Sequence, residues 1–209
     1  MSGHQEKLLG VILAGGQSSR MGVDKATLPI AGTTLLDYIR TKLLQTGIDE
    51  IVICRNAPGY LSDDIPQLGP LGALYTLSQR YPERRALIIP VDMPLLSSTT
   101  LQLFHALATE PNLDTESNLA NDPKGAASNL PATLGQHTFP LYLPFTTTVS
   151  EALNKRAMNP DDLSIAAFLR ETAGRRLNSV AHTIDDKEFL NANTPEQWQH
   201  ILAKVGAQI

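Results

Sequence analysis

An apolar run, Leu8–Leu13, passes without a break into L-A-G-G-Q-S-S-R-M-G-V-D-K at Leu13–Lys25. A continuous run, rather than an alternating one, predicts a strand buried on both faces, as in a parallel sheet covered by helices. Ala14, Gly15 and Gly16 carry little or no side chain, so the backbone there can turn tightly and present its N–H groups to a ligand. Ser18 and Ser19 add hydroxyls, and Arg20 and Lys25 set cations beside them with Gly22 between. Such a loop suits a nucleoside triphosphate. The spacing excludes a Walker A loop, because counting on from Gly15 or Gly16 puts Arg20 or Met21 where the second glycine belongs, and no G-x-G-x-x-G pattern occurs.

The rest of the chain repeats strand and helix. Thr33 or Thr34, with Asp37 after it, predicts a helix start, and Leu35, Ile39 and Leu43 form its apolar stripe up to a C-capping Gly47. Ile51–Ile53 reads as the second strand, leading into Cys54, Arg55 and Asn56. Pro58–Pro70 is loop, and Gly69-Pro70-Leu71-Gly72 opens the next helix, whose N-terminus can face an anion. Ala86–Val91 is the third strand, and Ser97 or Ser98 caps a helix carrying Leu101, Phe104 and Leu107. This order predicts an α/β three-layer sandwich: a Rossmann-like, doubly wound, mostly parallel sheet.

The second half is less regular. Glu110–Gln136 is polar and without period, with Ser117–Asn121 as a weak strand. His137–Leu143 reads as a strand that Pro140 demotes to an edge or bulge. Thr148–Ala157 and Leu163–Glu171 read as helices and Leu177–Ile184 as a strand. Thr194-Pro195-Glu196-Gln197 is a capping box with Pro at the first helical position, ahead of a stripe of Trp198, Ile201, Leu202 and Val205. Without repeats or a linker, the expectation is a single domain over 1–209.

At 42% hydrophobic and 18% charged residues the chain reads as globular, and a net charge of −4 argues against a general nucleic-acid binder. A single cysteine, Cys54, excludes an intramolecular disulfide and a cysteine-rich zinc site. No cleavage pattern or membrane-length apolar run is seen, so the expected location is cytoplasmic, away from membranes.

In an open parallel sheet, ligands bind at the carboxyl ends of the strands. Asp92 falls there, directly after the third strand in P-V-D-M-P, between Pro90 and Pro94. A strand-end aspartate is more often a cap, but opposite a phosphate-binding loop its carboxylate suits Mg²⁺, which takes one or two carboxylates plus phosphate oxygens and waters.

The Leu13–Lys25 stretch, extended by Leu28, closely resembles the L-A-G-G-x-S-x-R-M-G-x-D-K-x-x-L motif of molybdenum cofactor guanylyltransferases. Three further blocks recur in order along nearly the whole chain. P-V-D-M-P-L-L resembles the family's P-x-D-x-P. Asp63, six residues ahead of Gly69-Pro70-Leu71, resembles its D…G-P-L. Asn191-Ala192-Asn193-Thr194-Pro195-Glu196 resembles its N-x-N-T-P-E/D. The resemblance implies the nucleotide-diphospho-sugar transferase type of fold. It implies a nucleotidyltransferase that moves GMP from GTP to the phosphate of molybdopterin, releasing pyrophosphate. Arg20, Lys25 and Asp92 would be catalytic, with Asp92 as the Mg²⁺ ligand. Leu13, Ala14, Gly15, Gly16, Lys25, Asp63, Gly69, Pro70, Leu71 and Asp92 would contact the nucleotide, and Asn191 and Asn193 would border the cleft. Partners would be the substrates GTP and molybdopterin, with cofactor-delivery proteins or apo-molybdoenzymes beyond them. Where the family carries Asn at the end of the second strand, Cys54 stands here, with Asn56 two residues on.

The opening loop is shared by the wider superfamily, so CMP transfer, a sugar or polyol phosphate acceptor, and a non-catalytic nucleotide- or cofactor-binding module stay open as alternatives. Bland roles are expected for Asp24 (a neutraliser of Lys25), His137 (a strand edge), Cys54 and Trp198 (core), and Arg84 and Arg85 (solvated flanks).

Overall fold

The computed structural model describes residues 8–15, 22–109, 127–159, 161–178 and 184–206. The opening apolar run forms β1 (Leu9–Leu13), buried throughout. A small hairpin follows, β2 (Pro29–Ile30) and β3 (Thr33–Thr34), then α1 (Leu35–Leu44) and β4 (Glu50–Cys54). α2 (Pro70–Arg80), β5 (Arg85–Pro90) and α3 (Ser98–Thr109) complete the expected repeat. Beyond them lie β6 (Ala132–Leu134), β7 (Leu141–Pro144), α4 (Thr147–Met158), α5 (Ile165–Glu171), β8 (Arg175–Leu177) and α6 (Pro195–Gly206).

The main sheet has six strands in the order β4-β1-β5-β7-β6-β8. β1 is parallel to β4 and β5, β7 is antiparallel to β5 and β6, and β6 and β8 are parallel, so only β7 runs against the rest. Leu13 stands opposite Cys54 on one side and Pro90 on the other. β4, β1 and β5 therefore end level. Ala14–Gly15, Arg55 and Val91–Asp92 leave the sheet at one carboxyl edge. Two backbone bonds extend the ladder past that edge, Ala14 N–H to the Cys54 carbonyl at 2.9 Å and Val91 N–H to the Leu13 carbonyl at 3.0 Å.

Side chains alternate between two apolar layers. Ile12, Leu87 and Ile89 pack with Leu35, Ile39, Phe104, Trp198 and Ile201 of α1, α3 and α6. Leu9, Val11, Ala86 and Ile88 pack with Leu74, Leu77, Val149 and Phe168 of α2, α4 and α5. Burying each large side chain contributes about 1.5–3 kcal/mol. The expected three-layer sandwich is the observed one.

Local chemistry sets the helix starts. Thr34 Oγ1 accepts from Asp37 N–H at 3.2 Å and donates to the Asp37 carboxylate at 2.7 Å. Gly69 holds φ +59° before Pro70 opens α2. The capping box of α6 closes as expected: Gln197 N–H donates to Thr194 Oγ1 at 3.3 Å, and Gln197 Oε1 accepts from Asn193 and Thr194 N–H at 2.9 and 3.1 Å.

Several expectations need correction. The strand expected at His137–Leu143 begins only at Leu141, because Pro140 has no N–H to give a ladder, and residues 137–140 form a loop. Of the strand expected at Leu177–Ile184, residues 179–183 lie outside the described residues; the strand observed there is Arg175–Leu177, on a short ladder with β6 bounded by Arg175 N–H to the Pro131 carbonyl and Gly135 N–H to the Leu177 carbonyl. The expected strand at Ser117–Asn121 lies outside the described residues. Arg84 is not a solvated flank but half-buried and paired with Glu50 at 2.8 Å. Among the described residues no helix is long and apolar enough to cross a membrane.

Candidate functional site

A cavity of about 400 Å³ opens at the carboxyl edge of the sheet. One wall is Leu13, Ala14 and Gly15, continued by Asp24, Lys25 and Ala26; Pro70 of α2 and Asp92 close it further round. A Cβ added at Gly15 would meet the Cys54 carbonyl at 3.7 Å and Arg55 Cα at 3.9 Å, both ordinary contacts. Packing therefore does not demand glycine there, and the open backbone faces the cavity instead. Gly16 and Arg20 lie outside the described residues.

Lys25 is the hub. Asp24 caps the turn Lys25–Thr27 by accepting Ala26 N–H at 3.1 Å, and its carboxylate pairs with Arg55 at the end of β4. Asp24 thus organises the turn and does not neutralise Lys25. The Lys25 ammonium donates to Asp92 Oδ2 at 3.1 Å and to Asn193 Oδ1 at 2.7 Å. The Lys25 and Asp92 side chains are 15% and 22% exposed, so the pair is screened less than a surface pair would be.

The segment carrying Asp92 is held on two sides. Its carbonyl accepts Ala192 N–H at 2.8 Å, which ties the end of β5 to the chain entering α6. Behind it, the Lys42 ammonium donates to the carbonyls of Pro94 and Leu96 and sits 4.7 Å from the Tyr38 ring centroid. Burial pushes the Lys42 pKa down to about 8, against a smaller upward pull from Glu188. The Glu188 carboxylate in turn accepts Ser97 N–H at 2.8 Å.

Asp63 does not line this cavity. Asp63 N–H donates to Asn56 Oδ1 at 2.8 Å, and Asn56 Nδ2 donates back to the Asp63 carboxylate at 3.2 Å. A Cβ at Gly72 would lie 3.2 Å from the Ile65 carbonyl and 3.6 Å from Asp63 Cγ, so glycine there lets the Asp63 loop pack on the first turn of α2. Burial raises the Asp63 pKa, the Asn56 hydrogen bond opposes that, and neighbouring Asp64 adds to it. Asp64 is otherwise engaged, pairing with Arg80 at 2.9 Å. Leu71 is core and Gly69 caps α2. Cys54 is buried as expected, and burial with the nearby Asp63 charge pushes its thiol up to about 12.

Asn191 lines the cavity, and Asn193 accepts from Lys25 beside it. The far wall is His137, Thr138, Phe139 and Phe189, none of them expected at the site from sequence. His137 is not a strand-edge residue; its ring stacks on Phe189 with centroids 3.8 Å apart and planes 8° from parallel. The aromatic residues of H-T-F-P were the available signal, hidden by their reading as a strand.

A wound α/β sheet with a small-residue turn, a lysine and a carboxylate gathered at its carboxyl edge has the architecture of a nucleotidyltransferase. Residues 10–174 match the family model described as a MobA-like NTP transferase domain. Over 202 residues the chain is 33% identical to a molybdenum cofactor guanylyltransferase of Xanthomonas euvesicatoria pv. vesicatoria, covering 95% of this chain and 96% of that one. The chain belongs to the MobA-like NTP transferases and, among them, to the molybdenum cofactor guanylyltransferase family. Its fold is similar to that of molybdopterin-guanine dinucleotide biosynthesis protein A from Archaeoglobus fulgidus, with TM-score 0.72 at 13% identity over 97% of this chain and all of that one. It is also similar to a Mycobacterium tuberculosis protein crystallised in complex with manganese, with TM-score 0.59 at 16% identity over 94% of this chain and 98% of that one.

Proposed function

We propose that the protein transfers GMP from GTP to the phosphate of molybdopterin, releasing pyrophosphate and forming molybdopterin guanine dinucleotide. The observation that carries this reading is the meeting of Lys25, Asp92 and Asn193, one residue from each of three family blocks, at the cavity beside Gly15. An oxygen of the acceptor phosphate attacks the α-phosphorus of GTP. A new P–O bond forms, the bond to the β-phosphate oxygen breaks, and pyrophosphate leaves with that electron pair. The acceptor phosphate is already ionised at neutral pH, so no strong general base is needed, and catalysis reduces to positioning anions and offsetting their charge.

Leu13, Ala14, Gly15 and Gly16 would bring backbone N–H groups to the triphosphate, and Arg20 and Lys25 would stabilise its charge. Asp63 would select or orient the nucleoside, with Gly69, Pro70 and Leu71 shaping the adjoining helix start. Asp92 would hold Mg²⁺. One carboxylate at the cavity beside the Leu13–Gly15 turn fits that ion, because Mg²⁺ takes one or two protein carboxylates and most of its other ligands from phosphate and water. The bound ion supplies charge neutralisation on the triphosphate. The manganese complex of the Mycobacterium tuberculosis neighbour is in keeping with a divalent ion on this fold. We further propose a cytoplasmic enzyme that hands its product to delivery proteins or to apo-molybdoenzymes.

Incubation with molybdopterin, Mg²⁺ and each of GTP, CTP and ATP, followed by mass analysis, tests the reading. A GMP adduct and pyrophosphate from GTP are expected. A CMP adduct, or turnover only with a sugar or polyol phosphate, would replace it, and GTP binding without pyrophosphate release would indicate a non-catalytic module.

A further inference from the structure

The cavity has a second end that the nucleotide roles leave unused. Leu61 pairs with Cys54 at the end of β4 and leads into Asp63, so the proposed nucleoside contacts lie at the β4 end of the sheet. The phosphate loop follows β1, and Asp92 follows β5, the next strand along. His137, Thr138 and Phe139 come from the β6–β7 connection, on the other side of β5. In phosphoryl-type transfer the entering and leaving oxygens lie roughly in line. With base and triphosphate spread from β4 toward Asp92, the acceptor enters from the β7–β6 side.

That side carries a flat aromatic wall. Phe189 is 7% exposed and backs the His137 ring, which lies parallel to it and lines the cavity together with Phe139. Thr138 and Asn191 add a hydroxyl and an amide, each able to donate and to accept. No side chain of fixed charge stands in this group. Planar rings stack on such faces, whereas a sugar or polyol phosphate would ask for denser polar contacts.

We infer that the His137–Phe189 stack is the acceptor subsite, a platform for the planar pyrimidinone ring of a phosphate-bearing pterin. This rests on the guanylyl-transfer reading for the identity of the acceptor, and on cavity geometry for its place. His137 presents the stacking face, Phe189 holds it flat, and Thr138 and Asn191 meet the hydrogen-bonding edge of the ring.

His137→Leu removes the flat face at similar bulk, and His137→Phe keeps it. Both are compared with the parent by the KM for molybdopterin and for GTP in pyrophosphate release, and by the fluorescence quenching of free pterin, which needs no turnover. His137→Leu should weaken both pterin readouts about tenfold, within the range of base–aromatic stacking, while the KM for GTP stays unchanged; His137→Phe should recover most of the loss. Unchanged pterin readouts in His137→Leu, or an equal loss in His137→Phe, would overturn the platform. A parent that binds pterin, loses it in His137→Leu, yet forms no dinucleotide would sink guanylyl transfer and leave the subsite standing. A parent with neither binding nor turnover overturns both.

Discussion

Lys25 and Asn193, 168 positions apart in the chain, meet at 2.7 Å, the ammonium donating to Oδ1. The same ammonium reaches Asp92 at 3.1 Å, so one side chain joins the turn after the phosphate loop, the end of β5 and the entry to α6. The residues proposed for charge stabilisation and for metal binding are thereby held in register by each other, on backbone fixed by the Ala192–Asp92 bond.

Lys25→Ala should therefore cost catalysis far more than folding. Loss of one transition-state donor typically raises a barrier by about 2.7–4 kcal/mol. Loss of an ion pair this little exposed should cost more stability than the about 1 kcal/mol of a surface pair, but less than the change in barrier. Steady-state pyrophosphate release at saturating GTP, with a thermal melt on the same sample, checks both. Normal turnover would remove Lys25 from the catalytic set.

Asp63 and Asp64 should separate in their effects despite being neighbours. Asp63→Ala is expected to weaken GTP binding and narrow any preference over ATP, since a carboxylate can accept from guanine N–H groups or a ribose hydroxyl. Asp64 pairs with Arg80, so Asp64→Ala should leave GTP affinity as it is. Calorimetric titration of both variants decides; equal GTP affinity in Asp63→Ala and parent would move the nucleoside contact elsewhere.

Lys42 should make stability depend on alkaline pH. Its folded pKa, near 8, lies below the ordinary lysine value of 10.5, so between those values the unfolded chain holds a proton that the folded protein has released. Stability then rises with pH across that window, and the contribution is lost as pH falls through the folded value. Urea unfolding of parent and Lys42→Met at pH about 7.5 and 9.5 isolates the effect: the parent should gain on the variant at the higher pH. Parallel behaviour would contradict it.

Legibility followed the range of the signals. β1, β4 and β5 were readable because buried parallel strands leave continuous apolar runs, and the start of α6 because a capping box is complete within four residues, Thr194–Gln197. The hairpin of β2 and β3 turns through Ala31 and Gly32, at φ 48° and 78°, on strands too short to show a period. β6 has three residues between Pro131 and Gly135, and exists through its neighbours β7 and β8. At the site, Lys25 and Asp92 stood out by local context, but their bond did not. Only tertiary contact shows that Arg55 engages Asp24, that Asn56 holds Asp63, and that His137 leaves the sheet to stack on Phe189.

Asp92→Asn separates the proposed metal role from folding. The substitution keeps size and the backbone tie to Ala192 while removing the charge proposed to hold Mg²⁺. The measurement is formation of molybdopterin guanine dinucleotide from GTP and molybdopterin, followed by mass across a Mg²⁺ titration, for parent and variant side by side. The parent should form the GMP adduct. The variant should fall by orders of magnitude at low Mg²⁺ and recover in part as Mg²⁺ rises, with folding stability changed far less than turnover. Near-normal turnover of Asp92→Asn at low Mg²⁺, or a parent that makes no guanylyl adduct, would contradict the account.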